Sequence, residues 1–137
     1  MYTMDMYRRL IICTAVAGIT LLAINTLASA LYWYDAIWWF DMGMHALGGV
    51  FVALLGGSLV VRQLRVLTGR ESLIVILLLV FIIGLGWEYY EYIVQYYVKG
   101  VQLAHVSDSI SDLICDMIGG SVGALFVILL KKRYNHS

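Results

Sequence analysis

The sequence predicts an all-α, polytopic membrane protein: a four-transmembrane-helix bundle with both termini cytoplasmic, forming one integral membrane domain over residues 1–137. Three observations predict it. The chain is 62% hydrophobic and only 13% charged, whereas soluble domains are about 25% charged. Four apolar segments each reach the ~20 residues that a ~30 Å hydrocarbon core demands. Of the 9 Lys and Arg residues, all but Lys99 fall on one side of those segments, which by the positive-inside rule is the cytoplasmic side. The 9 acidic residues balance the 9 basic ones, so there is no basic footprint for nucleic acid.

The first span is expected at about residues 10–31, preceded by Arg8 and Arg9 and carrying Asn25 in its outer half. Ala28, Ser29 and Ala30 form an A-x-A pattern, but the apolar run exceeds the 7 to 15 residues of a signal peptide and ends in interfacial aromatics. It is therefore read as a retained helix. The run Tyr32, Trp33, Tyr34, Trp38 and Trp39, with Tyr89, Tyr90, Tyr92, Tyr96 and Tyr97, reads as an aromatic belt at the outer interface.

The second span, about 37–61, places Asp41, His45, Gly49, Ala53 and Gly57 at steps of four, hence on one stripe of a helix. Its inner part is a small-xxx-small ridge that lets another helix approach closely. Arg62, Arg65 and Arg70 follow it on the cytoplasmic side. The third span, about 72–97, carries Glu88 and Glu91 on one face within Trp-Glu-Tyr-Tyr-Glu. Glu88 lies about nine residues, or ~14 Å, from the external end at 1.5 Å per residue.

The fourth span, about 110–130, is led by Asp108, Asp112 and Asp116 at steps of four, continuing into Gly120 and Ala124, with Gly119 and Gly123 beside them. Lys131, Lys132 and Arg133 close it. Either glycine-rich face, Gly49, Ala53 and Gly57 or Gly119 and Gly123, can pack a neighbouring helix or a second copy of the chain. Cys13 and Cys115 both lie in apolar runs, where a thiol is usually a small buried hydrophobe.

These placements bring the polar groups of three spans to one depth. Asp41, Glu88, Glu91, Asp108, Asp112 and Asp116 are six of the 9 acids, with His45 and His105 nearby. Two carboxylates at 4 Å repel by about 4 kcal/mol at an effective dielectric near 20. Several are then protonated, or a cation sits among them. Hard oxygens plus imidazole suit a divalent metal such as Zn, Mn, Fe or Mg. The sequence reading takes His45, Glu88, Asp112 and Asp116 as metal ligands and Glu88 or Glu91 as general base. Asp41, Asp108, His105 and Asn25 are read as surrounding or substrate-contacting groups. Each has a plainer alternative: His45 as a hydrogen-bonded core residue, Glu91 and Asp108 as solvated interfacial acids, Asp41 as a helix cap.

The chain resembles the YjdF-like group of bacterial inner-membrane proteins across its second to fourth spans. The matching elements are Asp41, His45 and Gly49, then Trp87, Glu88 and Glu91, then Asp108, Asp112, Asp116 and Gly120. The resemblance implies an inner-membrane, multi-pass location and no particular activity. A weaker likeness is to VanZ-like proteins, whose Gln and Arg are absent here. The last helix is also similar to the Asp-x-x-x-Asp half of CDP-alcohol phosphotransferases, but their preceding Asp-Gly-x-x-Ala-Arg half is missing.

Three function classes follow. One is a metal-dependent enzyme acting on a lipid-linked substrate at the outer leaflet. Another is a proton or cation transporter component, against which the acids stop halfway across the membrane. The third is an accessory protein whose polar network fixes helix register.

Overall fold

The computed structural model describes residues 2–64, 66–97 and 106–135. Among them every regular element is helical: α1 (Tyr2–Ala30), α2 (Trp33–Ala36), α3 (Phe40–Leu59), α4 (Val61–Leu64), α5 (Gly69–Tyr97) and α6 (Val106–Asn135). α1, α3, α5 and α6 are long and apolar enough to cross a membrane, as expected. In hydrocarbon no water satisfies backbone N–H and C=O groups, which confines an open chain to helices.

The long helices outrun the expected limits at four ends. α1 begins at Tyr2, α5 at Gly69, and α6 runs from Val106 to Asn135. Helical hydrogen bonding need not stop where hydrocarbon does, so these ends project past the apolar segments. The start of α5 is a capping box: the Thr68 N–H donates to Glu71 Oε2 at 2.6 Å and the Glu71 N–H donates to Thr68 Oγ1 at 3.2 Å. The second span is shorter than expected, α3 covering Phe40–Leu59, with α2 and α4 as separate turns on either side of it.

α3 and α6 run parallel and make the most extensive contact in the molecule. A Cβ on Gly49 would collide with the backbone of Asp116 and Gly120, and one on Gly119 with the Ala46 carbonyl. Further along, a Cβ on Gly123 would lie 2.8 Å from Ala53 Cβ, and one on Gly57 2.8 Å from Val127 Cγ2. The two small-residue ridges therefore interlock within one chain. Of the two uses open to these faces, a neighbouring helix or a second copy, the chain takes the first.

α5 lies in the groove of α6 and α3, while α1 lies along α3 and touches α6 more lightly. In the half distant from the acids, Met6, Leu10, Ala53, Leu54, Ile76, Val80, Ala124 and Val127 close a continuous apolar core. Arg9 stacks 5.8 Å above the Tyr134 ring, fastening the start of α1 to the end of α6. Lys131, read from sequence as part of a flanking basic cluster, is buried. Its ammonium donates to the Leu67 carbonyl at 2.5 Å and to Ser72 Oγ at 3.1 Å, tying α6 to the turn before α5.

The outer surface is what lipid demands. Ile12, Ile19, Leu22, Leu78, Ile82, Ile118, Val122 and Leu129 are all exposed, an arrangement that water would penalise by roughly 25 cal/mol per Å² of apolar area. Trp38, Trp39, Tyr32, Tyr89 and Tyr97 are exposed near the other end of the bundle, consistent with an interfacial belt. Cys13 and Cys115 are free and partly buried.

Candidate functional site

The site sits where α3, α5 and α6 converge in the half of the bundle away from Lys131. His45 is its centre, one turn below Asp41 on α3 and buried. Three carboxylates surround its ring. Asp116 Oδ1 lies 3.4 Å from Nδ1, Glu88 Oε1 3.9 Å from Nε2, and Asp112 Oδ2 4.0 Å from Nε2. The expected clustering of these four residues is thus present in the structure.

Asp116 is seated by absent side chains. A Cβ on Gly84 of α5 would lie 2.7 Å from Asp116 Oδ2, and one on Gly48 of α3 would lie 3.8 Å from Oδ1. Glycine at 84 lets the carboxylate reach under the imidazole from α6. Neither Gly48 nor Gly84 was marked by the sequence reading, which took its glycines from the helix-packing pattern alone.

The other nitrogen faces the potential ligands. Ligand atoms of Asp41, His45 and Asp112 lie within 4.8 Å of one another, as do those of His45, Glu88 and Glu91. Asp116 belongs to neither group; its nearest imidazole nitrogen is Nδ1. The geometry therefore sets one carboxylate, Asp116, against Nδ1 and two, Glu88 and Asp112, against Nε2, with Asp41 and Glu91 close by. Glu88 Oε1 is buried and has no hydrogen-bond partner among the described residues. An orphaned buried carboxylate oxygen carries a desolvation penalty of about 1–3 kcal/mol, more if charged.

These groups line a cavity of about 640 Å³, within the usual range for small-molecule sites. Asp108 and Gln95 lie along its wall with Asp41 and Glu91, while Phe51, Val52, Val80 and Ile83 give it apolar lining. Asp41 and Glu91 are half-buried and Asp108 is exposed. Asn25 reaches the cavity from α1. His105 lies outside the described residues.

Tyr34 is the residue that sequence reasoning missed. It was assigned to the interfacial belt, yet it lines the cavity and its hydroxyl donates to Asn25 Oδ1 at 2.7 Å. Two things put it there. Tyr32 adopts the left-handed conformation, φ 56°, which turns the chain after α1. Phe40 then packs edge-on against both Trp33 (5.6 Å) and Tyr34 (5.0 Å), fixing α2 over the start of α3. Burial, with the Asp41 and Glu91 carboxylates nearby, pushes the Tyr34 phenol above its ordinary value, so it stays a neutral donor at physiological pH. Position in an aromatic run gave no signal of this; the turn did the placing.

Fold and site together define a small multi-pass membrane protein with a buried histidine–carboxylate cluster in one half of its span. The chain belongs to the family described as "Predicted membrane protein (DUF2238)", which it matches over residues 3–136. That match supports the membrane class, and neither the YjdF-like nor the VanZ-like likeness. No curated protein and no solved structure matches the chain.

Proposed function

We propose that this protein binds a divalent metal at His45 and acts with it as an enzyme on a lipid-linked substrate, in the outer half of the cell's inner membrane. The observation that carries the reading is the buried, unpartnered Glu88 Oε1 beside His45 Nε2, with Asp112 on the same nitrogen. Left without a cation, the buried Asp112 and Asp116 and the partly buried Glu88 crowd one imidazole, and like charges so placed repel. A cation converts that repulsion into ligation. Hard carboxylates with one imidazole favour Zn, Mn, Fe or Mg over a soft metal.

His45 Nε2, Glu88 and Asp112 would hold the ion, with Asp41 in reach. Asp116, seated against Nδ1, would fix the tautomer and ring angle, as carboxylates do behind metal-bound histidines. When bound, such an ion polarises a substrate oxygen and acidifies a water. Glu91, half-buried at the cavity wall, would take the proton as general base. Tyr34, whose proton goes to Asn25 Oδ1, would offer substrate its hydroxyl oxygen as an acceptor.

The transporter reading fares worse on this geometry. The apolar core below the site leaves no polar route through a single chain among the described residues.

Elemental analysis of detergent-purified protein, before and after chelation, tests the proposal. About one divalent ion per chain, lost on chelation and absent from His45→Ala, is the expected result. A protein that purifies without metal and takes none up when Zn, Mn, Fe and Mg are offered would overturn it.

A further inference from the structure

The cavity has helix walls on all but one flank. α1 lies along α3, and α5 along α6 and α3, but α1 and α5 share no extended contact. Leu21 and Asn25 of α1 and Ile83 and Trp87 of α5 line the same cavity from these two helices. Asn25, Ile83 and Trp87 are exposed. Because α1 and α5 both span the membrane by length and composition, the medium between them is lipid. The opening is therefore lateral.

What enters by such a route must be amphipathic. Phe51, Val52 and Ile83 offer it an apolar surface, and the carboxylates offer it acceptors. The charge balance then narrows the headgroup. Six carboxylates and one imidazole line the cavity, with no Lys or Arg among the described lining residues. Asp41, Glu91 and Asp108 have no Lys or Arg to pair with among the described lining residues. An anionic headgroup would meet repulsion there, whereas an ammonium would find charge-assisted hydrogen bonds.

We propose that the cavity takes a lipid sideways from the bilayer through the gap between α1 and α5, and that this lipid carries a primary-amine headgroup bound among Asp41, Glu91 and Asp108. The idea rests on the lipid-linked-substrate reading above, but not on the metal, because the ammonium contacts need only the carboxylates. The hydrocarbon of such a lipid would run out past Leu21 and Ile83.

The test is photo-crosslinking in vesicles of phosphatidylethanolamine and phosphatidylglycerol. Phe51, half-buried on α3, is replaced by p-benzoylphenylalanine, and Ile118, on the lipid-facing side of α6, is replaced in a control. Irradiated protein is read by intact mass. At Phe51 the ethanolamine lipid should be enriched over its bulk share by about tenfold, the factor one charge-assisted hydrogen bond supplies. At Ile118 adducts should follow bulk composition. Glu91→Gln with Asp41→Asn should remove the enrichment at Phe51.

The same label at Val52 serves if the Phe51 variant does not fold. Absence of a lipid adduct at both positions, or the same lipid ratio inside as at Ile118, would overturn the proposal. Repeating the measurement after chelation keeps the two readings apart. Enrichment that survives in a protein shown to bind no metal leaves lipid entry standing and sinks the metal reading. Bound metal with no adduct does the reverse.

Discussion

At the scale of single residues, the seat of Asp116 decides how His45 is presented. Gly84→Ala would put a methyl 2.7 Å from Asp116 Oδ2 and 3.1 Å from Leu113 Cδ1. Such overpacking costs about 1–3 kcal/mol, so thermal melting in detergent should fall. Gly86→Ala is the matched control, since its Cβ meets nothing within 4 Å. It should be neutral or stabilise by up to about 1 kcal/mol. Equal losses for both variants would show that helix propensity, not the carboxylate seat, sets the effect. Asp116→Asn keeps the volume and one acceptor oxygen but removes the negative charge beside Nδ1. Loss of such an orienting partner typically weakens metal binding 10–100-fold, measurable by competition with a chromogenic chelator.

His45, Asp112 and Asp116 were legible in the sequence because a step of four on a helix needs no tertiary information. Their convergence with Glu88 followed from depth counted along each span. The split of roles around the ring was not legible, since Nδ1 and Nε2 differ only once neighbouring helices are rotated into place. Tyr34 was hidden for a similar reason: its position depends on a left-handed Tyr32 that no local pattern announces.

At the scale of elements, the interlock of α3 with α6 holds the site open to the right width. Gly119→Ala drives a methyl into the Ala46 carbonyl, and backbone cannot move aside as a side-chain tip can. It should destabilise by at least the overpacking range of about 1–3 kcal/mol and splay His45 from Asp116, lowering metal retention with it. Denaturant or thermal unfolding compared with Gly86→Ala reads the difference. A weaker effect is expected at the start of α5, where Thr68→Ala removes one half of the capping box and should cost about 1 kcal/mol.

The four spans were legible from length and hydropathy, and their ends were not. Charges mark where hydrocarbon stops, whereas caps such as Thr68 and Glu71 mark where a helix stops. The glycine ridges were recognisable as packing faces. Which partner they chose required the fold, because a small-residue stripe fits a neighbouring helix of the same chain as well as that of a second copy.

At the scale of the whole molecule, orientation follows from Arg8, Arg9, Arg62, Arg70, Lys132 and Arg133 standing at one end of the bundle. The positive-inside rule predicts that end to be cytoplasmic and the acidic cavity external. A cysteine at Asp35 should be labelled by an impermeant maleimide added outside cells, and one at Gln63 should be protected. The opposite pattern would turn the cavity to the cytoplasmic leaflet. With Met6, Leu10, Ile76 and Val127 packed across the other half, reconstituted vesicles should pass no cations. Flux abolished by altering Asp116 would favour the transporter reading.

The central claim is that the buried acids around His45 are held together by a cation. The most direct test is the thermal shift of Asp112→Asn with and without added divalent metal. Binding to the folded state adds stability in proportion to ln(1 + [L]/Kd), so the wild-type chain should melt higher with metal and Asp112→Asn should lose most of that gain. If the acids are only a repulsive cluster, removing one relieves several kcal/mol of like-charge energy at most. An Asp112→Asn variant as stable as the wild type or more so, with no response of either chain to metal, would contradict the account.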